Sequence, residues 1–371
     1  MLVQNLPLPP AAPGIQHHLT ALQFGSTRPG PKAFIQAALH ADEVPAMLVA
    51  HHLRQQLTAL EAQGQLLGQV VLVPVANPVG LGQQVLGHHI GRFDLRDGVN
   101  FNRQHVGLGP AVLRRVVDQL GPDEAANVAL IRQALRQAAA ALQATTPTQA
   151  LKHLLLQLSV DADVVLDLHC DAEATLHLYT LTPTQALGAE LGALMGARAI
   201  LLADESGDSP FDEACSRPWL ALQQALPAHP IPLACFSATV ELRGQADTSH
   251  PQAAQDAAAI IEFLRRRGVV GGTPAALPAS RCEPTLLAAS EPITAGGAGI
   301  VVFHANVGDD LPAGALVAEV ICPETGLSQP LRCSSAGVLY ARSNLRWAAP
   351  GARLAKVAGS TLARTGKLLS N

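Results

Sequence analysis

Short apolar runs alternate with segments of helical periodicity along most of the chain. Five runs have the length of buried strands: 33–39, 70–75, 164–168, 199–202 and 238–242. Apolar residues recur at helical spacing in between, at 45–63, 123–143, 148–158, 188–196 and 252–267. Continuously apolar strands separated by helices are typical of a sheet that is covered on both faces. The pattern therefore predicts an α/β fold with a mostly parallel, doubly wound mixed sheet.

The pattern changes at residues 268–284, which are rich in Gly, Pro and Ala. Short strands then follow at turn-rich spacing without helical periodicity, at 292–300, 317–321, 337–340 and 354–357. We therefore predict an α/β domain over 1–280 and a small all-β domain over 281–371.

Parts of this small domain, 308–320 and 334–359, resemble the two halves of a biotinyl- or lipoyl-type barrel-sandwich domain. The intervening turn, 322–329, has no lysine for a cofactor, so we exclude a carrier role. Shaping of the active-site entrance, an oligomer contact and a purely structural role stay open, and so does a homo-oligomeric state.

Composition and charge exclude several classes of partner. The chain has 371 residues, of which 48% are hydrophobic and 15% charged, and its net charge is −4. A negative chain with 3% aromatic residues and no basic run longer than Arg265–Arg267 is unsuited to nucleic acid. No apolar run reaches the length of a membrane span, and the first residues show no signal-peptide pattern. Six scattered cysteines then favour a reduced, cytoplasmic protein.

Polar side chains that can carry chemistry follow several predicted strands. His40 comes after the run 33–39, with Glu43 three residues later, His169 follows 164–168, and Glu241 lies near the end of 238–242. Ligands of open parallel sheets bind at the carboxyl ends of the strands, which share one edge. We therefore expect these side chains to converge on one site.

Two imidazoles and a carboxylate, as in His40, Glu43 and His169, are a ligand set of catalytic zinc, which keeps a further position for water. Asp167 lies two residues before His169 on the same strand face, where it can orient an imidazole. Zinc activates water and polarises a carbonyl, and Glu241 then fits a general base. Each of these residues alone has an ordinary structural explanation, and only their combination indicates one zinc ion per chain.

Other catalytic patterns are missing from the sequence. It contains no Gly-x-Ser-x-Gly elbow of serine hydrolases and no His-Glu-x-x-His helix of zinc proteases. A phosphate-binding Gly-x-x-x-x-Gly-Lys loop is also missing, so nucleotide chemistry has no visible site.

Four short motifs, in this order, carry a resemblance to a known family. They are LHADE (Leu39–Glu43), VNFNR (Val99–Arg103), DLH (Asp167–His169) and TVEL (Thr239–Leu242). Between residues 31 and 267 the sequence resembles the zinc carboxypeptidase superfamily, and within it the succinylglutamate desuccinylase/aspartoacylase branch. The resemblance implies a zinc-carboxypeptidase type of fold, with His40, Glu43 and His169 as zinc ligands and Glu241 as the base.

The same resemblance implies that Asn102 and Arg103 hold a substrate carboxylate, which suits the forked guanidinium. It also implies an upstream arginine that faces the developing oxyanion. The sequence offers Arg92 and Arg96, of which we favour Arg92.

The predicted function is zinc-dependent hydrolysis of the amide bond of a small, carboxylate-bearing N-acyl amino acid. A zinc carboxypeptidase that acts on short peptides is the alternative within the same chemistry. A non-catalytic metal- or ligand-binding protein is the alternative from another class. The acidic segment 204–219, which Gly and Pro interrupt, is expected to be either a lid or specificity loop or an ordinary surface connection.

Overall fold

The computed structural model describes residues 1–25, 30–362 and 364–369. Up to residue 286 the strands are β1 (Leu2–Pro7), β2 (His18–Phe24), β3 (Lys32–Ala37), β4 (Gln69–Val73), β5 (Gln84–Val85), β6 (His88–His89), β7 (Val164–Asp171), β8 (Glu173–Ala174), β9 (His177–Thr180), β10 (Ala199–Leu202), β11 (Phe236–Gly244) and β12 (Pro284–Leu286). The helices are α1 (Pro45–Ala62), α2 (Pro78–Leu81), α3 (Gly109–Val116), α4 (Glu124–Ala140), α5 (Pro147–Ser159), α6 (Gln185–Met195), α7 (Phe211–Ala225) and α8 (His250–Arg266). Two 3₁₀ turns cover Thr182–Thr184 and Leu287–Ala289.

Among the described residues, nine strands form one large mixed sheet in the order β1-β2-β4-β3-β7-β11-β9-β10-β12. The central strands β4, β3, β7 and β11 are mutually parallel, whereas β9 runs antiparallel to β11. This arrangement confirms the predicted α/β class. The hairpin of β1 and β2 at the edge was not predicted, because Leu2 and Val3 are exposed and give no apolar run.

Both faces of the large sheet are covered by helices. Alternate residues of β3 point to opposite faces, so that Ile35 packs in the core with α1, α6 and α8, and Phe34 in the core with α3, α4, α5 and α7. The helix ends follow local signals: α1 begins at Pro45, and the Asp123 side chain accepts hydrogen bonds from two backbone N–H groups at the start of α4.

The remaining strands form two antiparallel sheets at the C-terminal end of the chain. They are β13 (Ser290–Thr294), β14 (Gly299–Phe303), β15 (Asp310–Leu311), β16 (Leu316–Ile321), β17 (Ser328–Arg332), β18 (Gly337–Arg342), β19 (Trp347–Ala348) and β20 (Arg353–Gly359). One sheet has the order β13-β20-β18-β15 and the other β17-β16-β14-β19, around a shared apolar core. The predicted single strand 292–300 is in fact split between β13 and β14, because residues 295–298 form a turn.

Two strand pairings connect the two predicted domains, 1–280 and 281–371. The strand β12 lies beyond residue 280, where we placed the domain boundary, and pairs with β10 at the edge of the large sheet. The strand β8 pairs with β18. Within the described residues, every helix is too short or too polar to cross a membrane.

Candidate metal centre and active-site pocket

A tight turn between β3 and α1 presents His40 and Glu43. The Glu43 N–H donates to the His40 carbonyl over 3.1 Å, and the Asn77 side-chain amide donates to the carbonyl of Leu39 over 3.0 Å. The turn brings the His40 Nδ1 to 3.0 Å from Glu43 Oε1. The spacing of the two residues thus places both side chains at one point, as expected.

His169 reaches the same point from β7, which lies beside β3 in the sheet. Its Nδ1 is 2.7 Å from Glu43 Oε2, and the next backbone N–H, of Cys170, donates to that oxygen over 3.0 Å. One ligand atom from each of His40, Glu43 and His169 lies within 4.8 Å of the others, and all three residues are buried. The strand ends therefore meet as the sequence predicted.

The second nitrogen of each imidazole has a fixed partner. Asp167 Oδ2 lies 2.9 Å from His169 Nε2, as the strand spacing predicted. Asn100 Oδ1 lies 2.9 Å from His40 Nε2. Such contacts fix the ring orientation and the tautomer of a metal ligand. Sequence reasoning did not single out Asn100, although it belongs to the VNFNR motif.

The two imidazoles differ in their electrostatic surroundings. Burial, reinforced by Arg92, lowers the pKa of His40 to about 4, so this ring is neutral and able to ligate at neutral pH. Burial acts in the same direction on His169, but Asp167 and Glu43 overcome it and raise the pKa of His169 well above its ordinary value. The carboxylates around His169 thus stabilise a positive charge at this position.

Arg92 and Arg96 lie in different surroundings. Arg92 lines the same pocket as His40 and His169, and its Nη2 donates to Glu43 Oε1 over 3.0 Å. Its position depends on Gly91, where a Cβ would lie 2.1 Å from the backbone nitrogen of Asp42. Arg96 instead binds Asp94, with its Nη2 2.5 Å from Asp94 Oδ2. Of the two arginines, Arg92 is therefore the one that lines the pocket and contacts the cluster.

Asn102 and Arg103 both line this pocket. The Asn102 Nδ2 is 3.2 Å from His169 Nε2, and its Oδ1 accepts a hydrogen bond from the Phe211 backbone over 2.9 Å. The turn that carries them is held by the buried ammonium of Lys152, which donates to the carbonyls of Asn100 and Arg103 over 3.0 and 2.7 Å. Asn102 thus joins His169 to the start of α7, in addition to any role in substrate binding.

Glu241 stands opposite His169 in the register of β11 and β7, and its side chain lines the pocket. Within the described part of the chain its Oε2 is buried without a hydrogen-bond partner. Burial and then the negative charge of Glu43 raise the pKa of Glu241 to about 8. A carboxylate in this state can take up and release a proton near neutral pH.

The pocket measures about 770 Å³ including its open mouth. The C-terminal end of the chain contributes to its wall through Leu287, Lys356 and Leu369. The Lys356 Nζ lies 2.5 Å from Asp171 Oδ2, at the end of β7. No local sequence signal connects Lys356 with the site, because it belongs to a different sheet.

The acidic segment 204–219 was expected to be a loop, and for most of its length this is wrong. The helix α7 begins at Phe211 and contains Pro218. Phe211, Cys215, Trp219 and Leu222 are buried at helical spacing, and this packing outweighs the cost of an internal proline. Ser206, Pro210, Asp212 and Glu213, from the loop and the first turn of α7, line the pocket.

Comparisons with known proteins identify the family of the chain. The model of the succinylglutamate desuccinylase/aspartoacylase catalytic domain matches residues 29–267. No functionally curated protein matches the sequence.

Solved structures with a similar fold extend over nearly the whole chain. A succinylglutamate desuccinylase/aspartoacylase family protein from Shewanella amazonensis SB2B is 26% identical, with a TM-score of 0.85, and the match covers 96% of this chain and 98% of that one. A protein of the same description from Shewanella frigidimarina NCIMB 400 is 24% identical with a TM-score of 0.85, over 96% and 97% of the two chains. The product-bound ectoine utilization protein EutE (DoeB) from Ruegeria pomeroyi shares the fold at 17% identity, with a TM-score of 0.67 and coverage of 97% and 95%. Since the family model matches well over half of the chain, the protein belongs to the succinylglutamate desuccinylase/aspartoacylase family.

Proposed function

We propose that the protein is a zinc-dependent hydrolase that cleaves the amide bond of a small N-acyl amino acid. The observation that carries this proposal is the convergence of His40, Glu43 and His169 beside a pocket into which Glu241 projects. Family membership supports the deacylase class, and the cytoplasmic location predicted from the sequence is part of the proposal.

The residues present fit a zinc ion. Two imidazoles and one carboxylate are a donor set that zinc prefers, and their ligand atoms lie close enough together to share one ion. The ring contacts of Asn100 and Asp167 are those expected around metal ligands. A divalent ion held here would supply Lewis-acid polarisation of a carbonyl and a lowered pKa for water.

Glu241 would act as the general base and then return its proton to the leaving amine. Its Oε2 faces no donor within the described chain, and its pKa of about 8 suits proton exchange near neutrality. Arg92 would stabilise the negative charge that develops on the carbonyl oxygen, because its guanidinium contacts Glu43 of the cluster and Arg92 lines the pocket.

Arg103 would hold the substrate carboxylate, and Asn102 would fix the distance between that carboxylate and His169. Both side chains line the pocket, and Lys152 makes their turn rigid through two backbone carbonyls. A forked cation in the pocket favours a small substrate with a free carboxylate.

The test combines metal analysis with hydrolysis of N-acetyl amino acids by the zinc-loaded protein. We expect one zinc per chain and measurable turnover, and a loss of about 10²–10⁴-fold in kcat for Glu241→Gln, with unchanged zinc content. Glu190→Gln, which removes a carboxylate from a half-buried ion pair with Arg267 outside the pocket, is the matched control and should retain full activity.

Three outcomes would contradict the proposal. Full turnover by Glu241→Gln would remove the proposed base. Cleavage of short peptides without cleavage of N-acyl amino acids would identify a carboxypeptidase. Zinc uptake without turnover of any amide would indicate a binding protein.

A further inference from the structure

Three histidines lie together at the surface of the α/β domain. His51 and His52 are neighbours on α1, and His250 is the first residue of α8. His51 and His250 are exposed, whereas His52 is half-buried. All three lie outside the set of described residues that line the active-site pocket. We refer to His51, His52 and His250 as the surface histidine cluster.

The fold fixes the backbone that carries these three rings. Ala50 and Leu53, which flank the two histidines of α1, are fully buried, and Ala253, one turn after His250, is buried as well. All of these flanking residues pack in the same apolar core on one face of the large sheet. Since 198 positions separate His52 from His250 in the sequence, only the folded chain brings the cluster together.

The three rings contact one another. The His52 Nε2 lies 3.1 Å from the His250 Nδ1. The ring centroids are 5.3 Å apart for His52 and His250, 5.4 Å for His51 and His52, and 6.5 Å for His51 and His250. A hydrogen bond between two ring nitrogens requires that one of them carries no proton. The pair of His52 and His250 thus already contains a nitrogen lone pair of the kind that binds a metal ion.

The spacing of these rings is close to that around a tetrahedral metal ion. Two imidazole nitrogens that each lie about 2.0–2.1 Å from a zinc ion are roughly 3.3 Å apart, and the centroids of their rings are roughly 5.2 Å apart. The pair of His52 and His250 has nearly these separations, with 3.1 Å between the nitrogens and 5.3 Å between the centroids. A small rotation of each ring would turn both nitrogens toward one ion.

The His51 ring has to move further. Its Nε2 lies 3.0 Å from the Gln55 Nε2, and within the described residues the cluster does not yet offer three ligand atoms within 4.8 Å of one another. His51 is exposed, and exposed side chains change rotamer within nanoseconds. The third imidazole can therefore join the other two without a change in the backbone.

We propose that the surface histidine cluster is a second metal site, which binds one divalent transition metal ion through its three imidazoles. Imidazole ligands suit Zn²⁺, Ni²⁺ and Cu²⁺, and water would fill the remaining position. The ion would join α1 to α8. Because α1 begins at Pro45, two residues after Glu43, the ion would restrain the helix that follows the turn of the proposed catalytic centre. This inference goes beyond the proposed hydrolysis and does not depend on it.

The site should bind zinc more weakly than the set of His40, Glu43 and His169. All three ligands of the surface cluster are neutral, whereas the other set includes a carboxylate. His250 also stands at the N-terminus of α8, where the helix dipole disfavours a positive charge. The two sites should therefore fill one after the other in a titration.

Zinc titration of the zinc-loaded protein, followed by calorimetry, tests the inference. We expect one further, weaker zinc ion per chain and a rise in melting temperature as it binds, because the cluster exists only in the folded chain. His51→Gln, His52→Gln and His250→Gln should each weaken this second binding event about tenfold or more, with the first zinc ion and amide hydrolysis unchanged. His18→Gln, which removes an exposed imidazole at the start of β2, is the matched control and should keep both binding events.

The inference is overturned by a wild type without a second binding event, or by a second event that persists in all three cluster variants. An equal loss in His18→Gln would also overturn it, since the zinc would then bind to surface histidines in general. A second event that His51→Gln leaves unchanged would show that the proposed three-imidazole site is wrong. Failure of the proposed function would be seen separately, as a lack of amide hydrolysis while the second event is retained.

Discussion

Replacing either of two nearby arginines, Arg92 and Arg96, is expected to have opposite consequences. Arg92 contacts Glu43 and lines the pocket, whereas Arg96 binds the fully buried Asp94 through its Nε, over 2.9 Å, and its Nη2. We expect Arg92→Ala to impair catalysis and Arg96→Ala to impair stability. The pair is a matched comparison, because both substitutions remove one guanidinium from the same loop.

The stability effect can be estimated from Asp94. Burial alone would raise its pKa, but hydrogen bonds from Arg96 and Thr148 overcome this and lower the pKa of Asp94 from 3.8 to about 2. That difference corresponds to roughly 2.5 kcal/mol for all the interactions that favour the carboxylate. The Arg96 side chain is 45% exposed, and water replaces part of its contribution. Arg96→Ala should therefore lower the free energy of unfolding by about 1–2 kcal/mol.

The effect also has a defined pH dependence. Because the pKa of Asp94 is lower in the folded state, the stabilisation is fully present above about pH 4 and is lost as the pH falls toward about 2. The difference in stability between the wild type and Arg96→Ala should thus be constant between pH 5 and 7, to within roughly 0.5 kcal/mol. It should shrink at lower pH.

The catalytic effect follows from the position of Arg92. A donor aimed at developing charge contributes about 3–4 kcal/mol to the transition state, so Arg92→Ala should lower kcat by roughly 10²–10³-fold. Denaturant unfolding and amide hydrolysis by the zinc-loaded variants measure both effects. The reasoning is refuted if Arg96→Ala loses as much activity as Arg92→Ala while its stability is unchanged.

Three further outcomes follow from the geometry. Asn100→Ala should weaken zinc binding about 10–100-fold in a chelator competition assay, because His40 loses the partner of its Nε2, and unchanged affinity would contradict this role. Gly91→Ala should reduce both stability and activity, since the new Cβ would lie 2.1 Å from the Asp42 nitrogen, whereas Gly107→Ala, which meets no atom within 4 Å, should not. Removal of zinc from a sample that holds it at about 100 times its Kd should lower the free energy of unfolding by about 2.7 kcal/mol, measured by thermal unfolding with and without chelator.

The part of the site that sequence predicted depends on local patterns and on neighbouring parallel strands. Apolar runs in the sequence predicted the strands β3, β7 and β11. In the sheet, Gln36 of β3 lies beside Asp167 of β7, and Glu241 of β11 lies beside His169 of β7. Parallel strands that begin at one edge end at the other, so residues after each strand converge without further information. The three proposed metal ligands were predictable for this reason.

Other features depend on contacts between distant segments and left no local signal. The pattern of Pro210 and Pro218 suggested a loop, but burial of Trp219 and Leu222 against the sheet made it a helix. Lys152 holds the turn of Arg103 through backbone carbonyls, which no sequence motif records. Sequence reasoning favoured Arg92 over Arg96, but the contact of Arg96 with Asp94 left no local signal either.

Residues from both the α/β part and the C-terminal part of the chain line the pocket. Lys356 binds Asp171, which lies on β7 two residues after His169. Arg342 binds Glu173 over 2.6 Å, and Glu173 belongs to β8, which pairs with β18. The end of the strand that carries His169 is therefore held by ion pairs and hydrogen bonds from the C-terminal sheets. A shift of these sheets would move a wall of the pocket and the support of a proposed ligand together, so their packing bears on the site as well as on stability.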